Sequence, residues 1–110
     1  MPATVAVSLA LALKRHHVEV VFAQSLPTAV ILACEDLGIR QLAYRQENMG
    51  GAMADGYSRI SGRISVVAAQ NGPAAALLVA PLAEALKASV AVVALVQDVE
   101  RHHADRNAFQ

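Results

Sequence analysis

Aromatic residues, cysteine and charge are all scarce in this sequence. Aromatic side chains make up 4% of the 110 residues, and nine basic and nine acidic residues cancel to a formal net charge of zero. Nucleic-acid-binding domains usually show a basic patch, often with aromatic side chains, so we expect no nucleic-acid partner. The single cysteine, Cys34, cannot form an intramolecular disulfide. This fits a reducing compartment, and we expect a cytoplasmic protein in which Cys34 is a small core residue.

Long apolar runs are also missing. The apolar segments at residues 3–13 and 90–96 fall short of the roughly 20 residues that a membrane-spanning helix needs. The first segment is followed by Lys14 and Arg15, whereas a secretory signal carries its positive charge ahead of the apolar run. We therefore expect neither a membrane span nor a secretory signal.

Hydrophobic residues, by contrast, are abundant, at 55% of the sequence against 16% charged residues. A single domain of this length has enough apolar side chains for a core. The surface that remains would be unusually apolar for a free monomer, which favours a homo-oligomer or another protein partner.

Apolar runs alternate with helical patterns along the chain. Strands are predicted at residues 19–22, 40–44, 64–69 and 90–96. Helices are predicted at residues 2–16, 27–37, 47–61 and 74–87, with Gly38 ending the second and Pro81 kinking the last. The predicted buried faces are Val5, Leu9 and Leu13 on the first helix and Met49, Met53, Tyr57 and Ile60 on the third. This order predicts a three-layer α/β/α fold with a parallel sheet.

Two pairs of histidines could be taken for metal ligands. His16-His17 and His102-His103 are adjacent in sequence, so their side chains point in different directions, and no spaced cysteine or carboxylate joins them. We interpret both pairs as solvated histidines near the ends of elements and predict no metal ligands in the chain.

The segment from Tyr44 to Gly62 is the most informative. Glu47 lies where a predicted strand ends and a helix begins, and ligands of α/β sheets collect beyond the carboxyl ends of strands. An acid in a first helical turn is also common for electrostatic reasons alone, so this position by itself does not establish a role. The helix contains Gly50, Gly51 and Gly56, each costing about 1 kcal/mol relative to alanine. Close approach of another backbone, a partner chain or a flat ligand would offset that cost.

This segment resembles a known family. Arg45-Gln46-Glu47-Asn48, the run Ala52-Met53-Ala54-Asp55-Gly56-Tyr57-Ser58-Arg59 and then Gly62 are similar to the R-H-E-Q…A-A-D-G-Y-A-R…G stretch of acetolactate-synthase-like, thiamine-diphosphate-dependent enzymes. The resemblance is to their N-terminal pyrimidine-binding domain and runs from Val20 to the end of the chain. It implies that residues 1–110 are that domain, incomplete at its C-terminal end.

The resemblance also implies roles for individual residues. Glu47 would hydrogen-bond a ring nitrogen of the cofactor's aminopyrimidine and favour the tautomer that removes the thiazolium proton. Gln24 and Ser25 stand in a loop that usually reads G-x-P-G and lies against the cofactor, and this chain departs from that pattern. The remaining implied contacts are Asn71, Gly72 and Pro73, in place of an S-G-P-G loop, and Gln110, the last residue of a segment similar to D-A-F-Q that lies near the reactive carbon.

The implied protein is a carboligase or decarboxylase of 2-keto acids such as pyruvate, with a place in branched-chain amino-acid biosynthesis. Its cofactor would be thiamine diphosphate, with the diphosphate and Mg²⁺ held by another domain, often of another subunit. The Gly-Asp-Gly signature of that domain is absent from these 110 residues. FAD binding by the full-length enzyme stays open, because the flavin-contacting domain lies outside this chain.

Two other readings compete with the enzyme. The chain could be a non-catalytic assembly module, or a truncated remnant of such an enzyme. A generic nucleotide binder of flavodoxin-like shape is less favoured, because the loop at residues 70–73 has no lysine and only one glycine and so is not a phosphate cradle.

Overall fold

The computed structural model of the chain describes residues 3–104. Its strands are β1 Val20–Ala23, β2 Arg40–Ala43, β3 Ser65–Ala69 and β4 Val92–Val96. Its helices are α1 Val5–Arg15, α2 Thr28–Asp36, α3 Glu47–Ser61, α4 Pro73–Leu77 and α5 Val79–Lys87, followed by a 3-10 turn at Arg101–His103. The strands form one parallel sheet in the order β2-β1-β3-β4. The predicted fold class is confirmed, and each predicted strand overlaps an observed one.

The sheet is covered on both faces, which makes three layers. Alternate side chains of a strand point to opposite faces. Val21 accordingly packs into a core cluster with residues of α1 and α2, whereas Phe22 packs into a second cluster with residues of α3. Both β1 and β3 are buried throughout, as expected for the middle strands of a parallel sheet. Cys34 is a buried residue of the first cluster, as predicted, and burial raises the pKa of its thiol.

Three of the helices end in the same way. His17, Gly38 and Ser89 follow α1, α2 and α5 with φ angles of 63°, 78° and 58°. In each case the N–H groups of this residue and of the one after it bond to carbonyls of the last helical turn, as Val18 N does to Leu13 O at 3.1 Å. This is the Schellman pattern, in which the left-handed residue reverses the chain. The predicted stop at Gly38 is confirmed.

The predicted buried face of α1 is only partly right. Leu13 is buried, but Val5 is 78% exposed and Leu9 is 37% exposed. Besides Val7, the side chains of α1 that pack into the first core cluster are those of Ala6, Ala10 and Leu13. Their spacing of four and three residues defines one helix face, and the small alanines allow close packing of α1.

The predicted buried face of α3 is right only for Tyr57, which packs partly buried against the second core cluster. Met49 is 54% exposed, Met53 39% and Ile60 92%, while Tyr57 is half-buried. The buried side of α3 carries its small residues instead, namely Gly50, Gly51, Ala54, Asp55 and Ser58.

Close packing explains this choice of face. A Cβ atom at Gly50 would lie 2.7 Å from Cγ of Tyr44, and one at Gly51 would lie 2.8 Å from Cβ of Pro81. Larger side chains would hold α3 away from the sheet and from α5. The close approach that the sequence predicted for the glycines is therefore found at these two positions, with side chains as the neighbours. A Cβ at Gly56 would meet nothing within 4 Å.

The helical region at residues 73–87 is interrupted at Leu78 rather than kinked at Pro81. A proline ring clashes with the carbonyl group four residues earlier, and Leu77 is where α4 ends. Pro81 itself lies in the first turn of α5, where its missing N–H would have no helical partner. Among residues 3–104, no helix is long and apolar enough to cross a membrane.

Candidate functional site

The candidate site lies at the carboxyl edge of the sheet, where the chain changes direction. From β1 the chain moves outward to β2, and it then crosses to the opposite side of β1 to form β3. Such a reversal leaves a crevice between the two strands from which connections diverge, here β1 and β3. Gln24 follows β1 and Gln70 follows β3, and both line a small pocket at this place.

Glu47 opens α3 beside this pocket. Gln46, which precedes it, has extended backbone angles, and its carbonyl accepts the first helical hydrogen bond, from Gly50 N at 2.9 Å. Glu47 is half-buried and lines the pocket. Within residues 3–104 its carboxylate has no hydrogen-bond or ion-pair partner, so its acceptor oxygens are available to a ligand.

Tyr44 lines the pocket, and its side chain forms a hydrogen bond to β3. Its hydroxyl donates a 2.7 Å hydrogen bond to Ala68 O, and only 5% of the residue is exposed. Burial, with a smaller contribution from the negative charge of Glu47, raises the pKa of Tyr44 to about 12. The side chain is therefore a neutral donor at physiological pH and keeps the hydrogen bond to β3.

Gln24, which follows β1, bonds to the backbone of the segment that precedes Glu47. Its Nε2 donates hydrogen bonds to Tyr44 O at 2.8 Å and to Arg45 O at 2.7 Å. Ser25, the next residue, has a φ of 77°, a left-handed conformation that favours glycine. The Leu26–Pro27 peptide that follows is cis. Ser25 thus stands where the G-x-P-G pattern has its first glycine and adopts a glycine-like conformation.

The pocket brings together only some of the predicted site residues. It has a volume of about 40 Å³ and is lined by Gln24, Leu26, Tyr44, Glu47, Ala69 and Gln70. Gln24 and Glu47 were predicted, whereas Gln70 and Tyr44 were missed. Their signal was present, since Tyr44 closes a predicted strand and Gln70 opens the loop after another.

The other predicted residues lie around the pocket or outside the described chain. Ser25 and the segment Asn71-Gly72-Pro73 belong to its bordering loops but are not among its lining residues. Gly72 has φ 72° and ψ −133°, which a side chain would disfavour, and Pro73 is the first residue of α4. Gln110 lies outside the described residues.

The remainder of the Asp55–Arg59 motif holds α3 in place. Asp55 is buried and forms an ion pair with Arg59, whose guanidinium also lies 3.3 Å from the Glu84 carboxylate on α5. Ser58 Oγ lies 2.7 Å from Ser65 Oγ on β3, and Ser65 donates to Ala54 O at the same distance. These residues fix the helix against the sheet and so support the position of Glu47 at its start.

The histidine pairs are exposed, as predicted. At the 3-10 turn, Glu100, His102 and His103 bring potential ligand atoms within 4.8 Å of one another, and His102 Nε2 lies 3.3 Å from the Glu100 carboxylate. The group is on the surface after β4 and is not part of the pocket that contains Glu47.

Comparison with known proteins now gives the family. The model of the thiamine pyrophosphate enzyme N-terminal TPP-binding domain matches residues 3–110. The chain belongs to this family, and its resemblance to acetolactate-synthase-like enzymes is confirmed by curated relatives. It is 36% identical to acetolactate synthase from Mycobacterium leprae over 97% of the chain, and 37% identical to the chloroplastic acetolactate synthase of Arabidopsis thaliana over 90%.

A solved structure supports the fold. A thiamine diphosphate-dependent 4-hydroxybenzoylformate decarboxylase from Rhodococcus jostii is similar over 97% of the chain, with a TM-score of 0.85 and 20% sequence identity. The chain spans 18% of the length of the Mycobacterium leprae protein, 15% of the Arabidopsis thaliana protein and 20% of the Rhodococcus jostii chain.

Proposed function

We propose that residues 1–110 are the pyrimidine-binding domain of a thiamine-diphosphate-dependent, acetolactate-synthase-like enzyme that acts on 2-keto acids such as pyruvate. Within it, Glu47 binds the aminopyrimidine ring of the cofactor and promotes its activation. The observation that carries the proposal is the position of Glu47, a carboxylate without a protein partner among the described residues, in a pocket at the sheet's topological switch point.

The residues of the pocket fit an aromatic nitrogen heterocycle. A carboxylate can share one proton with a ring nitrogen, and proton exchange of this kind is efficient where water is excluded. Tyr44, Leu26 and Ala69 supply apolar surface beside Glu47. When bound, thiamine diphosphate supplies the electron sink for 2-keto acid chemistry. The chain's own contribution is to orient the ring and to hold a proton at the Glu47 carboxylate.

The size of the pocket indicates that this chain provides part of a site. Pockets that enclose a whole ligand have volumes of about 300–1,000 Å³, whereas this pocket has about 40 Å³ and is too small to enclose the cofactor. We propose that another domain, on the same or a partner subunit, covers the rest of the cofactor and holds its diphosphate with Mg²⁺. Any FAD of the complete enzyme would also bind outside this chain, and the enzyme would assemble as a homo-oligomer in the cytoplasm.

Glu47→Gln tests the role of the carboxylate in the complete enzyme. Glutamine keeps the size and can form a hydrogen bond, but it cannot share a titratable proton. Acid–base groups contribute about 10²–10⁴-fold, so exchange of the thiazolium proton, followed by NMR in deuterium oxide, should slow by that factor. Melting should hardly change, since a first-turn charge contributes only about 0.3–1 kcal/mol.

The matched control is Glu35→Gln, the same change at an exposed acid of α2. It should leave both the exchange rate and the melting temperature near those of the wild type. A wild-type exchange rate in Glu47→Gln would end the case for Glu47 and would favour a non-catalytic assembly module.

Calorimetry tests the proposal that the cofactor site is divided between domains. The 110-residue chain with thiamine diphosphate and Mg²⁺ should show no micromolar dissociation constant.

A further inference from the structure

The side-chain amide nitrogen of Gln24 is bonded to two backbone carbonyls. Its Nε2 lies 2.8 Å from Tyr44 O and 2.7 Å from Arg45 O. Both partners are carbonyl oxygens, which only accept hydrogen bonds, so the amide must present its two N–H groups to them. This fixes the orientation of the amide and leaves its Oε1 as the one polar atom of the side chain not used in these bonds.

The two carbonyls belong to the connection between β2 and α3. Tyr44 and Arg45 lie three and two residues before Glu47, and Gln46 between them and the helix provides no side-chain cap. Helix starts are commonly fixed by a capping side chain from the residue that precedes them. The residue before α3 provides no such cap. The backbone that leads to the helix is instead bonded by Gln24, twenty residues before Tyr44.

The connection is held from its other side by Tyr44. The Tyr44 hydroxyl bonds to Ala68 O, and its ring packs on Gly50. Gln24 and Tyr44 together therefore link the segment that precedes Glu47 to the ends of β1 and β3. With Gln24 removed, the carbonyls of Tyr44 and Arg45 would lose these partners, and the backbone leading to Glu47 would be held less firmly.

We propose that Gln24 is a positioning residue, which acts through the backbone of residues 44–45 to hold the Glu47 carboxylate at its working place in the pocket. The inference rests on the proposed function of Glu47. It adds to the sequence-based expectation that Gln24 contacts the cofactor, because both N–H groups of its amide are used within the protein and only Oε1 is left for a ligand. A shift of about 1 Å in a catalytic group can cost on the order of 10²-fold in rate.

Gln24→Met in the complete enzyme removes both hydrogen bonds at nearly constant shape. Residues that orient metal ligands typically contribute about 10–100-fold, and we expect a loss of the same size in kcat and in the rate of thiazolium proton exchange. If Gln24 acts only through the backbone of residues 44–45, the KM for the keto acid should stay near the wild-type value. The matched control is Gln41→Met, the same change at an exposed residue of β2, which should leave kcat unchanged.

A readout without cofactor tests the geometry alone. Amide hydrogen exchange, followed by mass spectrometry on the cofactor-free enzyme, should become at least about tenfold faster in the peptide that covers residues 44–50 of Gln24→Met. Peptides from α1 should be unaffected. Should Gln24→Met fail to fold, Gln24→Glu serves in its place, because an ionised carboxylate keeps the shape but cannot donate to the two carbonyls.

A double variant separates positioning from direct contact. If Gln24 acts through Glu47, Gln24→Met should add little to the loss already caused by Glu47→Gln. Multiplying effects would overturn the positioning role, and so would wild-type kcat or unchanged amide exchange in Gln24→Met while Glu47→Gln is slow. A wild-type exchange rate in Glu47→Gln would instead overturn the proposed function, and the positioning role with it.

Discussion

The Tyr44 hydroxyl donates a 2.7 Å hydrogen bond to the carbonyl oxygen of Ala68. Since β1 lies between β2 and β3, this bond links two strands that are not neighbours in the sheet. The phenol ring spans the end of β1 and forms the floor on which Gly50 packs. One side chain thus contacts both β3 and α3, and Glu47 lies between Tyr44 and Gly50 along the chain.

Tyr44 should make stability fall at alkaline pH. Its pKa is raised from 10 to about 12 in the folded protein, so between these values the unfolded chain loses this proton while the folded chain keeps it. The contribution is therefore complete below about pH 10 and is lost as the pH rises toward 12. Two units correspond to at most about 2–3 kcal/mol. Urea unfolding of wild type and Tyr44→Phe at pH 9 to 12 measures it.

The comparison between wild type and Tyr44→Phe isolates the titration of Tyr44, because every other group titrates in both proteins. Tyr44→Phe should be less stable at pH 9 by about 1 kcal/mol, the usual net contribution of a hydrogen bond. The stability difference between the proteins should shrink above pH 10. A difference that stays constant up to pH 12 would contradict the raised pKa.

The glycines of α3 should respond to alanine in opposite directions. Gly50→Ala places a methyl group against the Tyr44 ring and should cost about 1–3 kcal/mol, as overpacked cores do. Gly56→Ala has open space and should gain about 1 kcal/mol from helix propensity, measured by urea unfolding at low protein concentration. Equal effects at the two positions would show that packing on Tyr44 does not limit the approach of α3.

Two helix ends carry side chains where glycine would be favoured. His17 and Ser89 have φ angles of 63° and 58° in the same setting as Gly38. A left-handed conformation costs about 1–2 kcal/mol for most residues, partly offset by the greater chain entropy of glycine. We therefore expect His17→Gly and Ser89→Gly each to stabilise the protein by about 0.5–1 kcal/mol in thermal melts.

The control for this pair is Lys87→Gly, in the last turn of α5 and only two residues before Ser89. It should destabilise by about 1 kcal/mol, because its backbone is helical. If Ser89→Gly lowers the melting temperature as Lys87→Gly does, the left-handed conformation at Ser89 is not a source of strain.

Local signals were enough to predict the sheet and the start of α3. The β-branched run of β3, the stop at Gly38 and the strand–helix junction at Glu47 are short patterns whose meaning depends on few neighbours. The partner of Gln24 was not predictable in this way, because the carbonyls it binds lie twenty residues further along the chain. Sequence could indicate a polar residue in that loop but not what its amide would face.

The orientation of α3 shows a second limit. Hydrophobicity alone places Met49 and Met53 inside, whereas the structure buries the glycines because Tyr44 and Pro81 require a close approach. Which face of a helix is buried depends on the shape of the surface opposite, and that surface is assembled from distant segments. The same holds for His17 and Ser89, whose left-handed conformations carry no glycine signal.

The outward stripe of α3 should mediate self-association. Met49, Met53, Gly56 and Ile60 recur at spacings of four and three residues, so they form one face, and its three apolar side chains are between 39% and 92% exposed. Gly56 lies in the middle with open space beside it, which would admit a second helix. Met53→Glu puts a charge into this face and should weaken association at least about tenfold, measured by sedimentation equilibrium. The matched control is Leu32→Glu, at an exposed apolar residue of α2 on the opposite side of the sheet, which should associate like the wild type. A wild type that stays monomeric at high concentration, or equal losses in both variants, would rule out the α3 stripe as the contact.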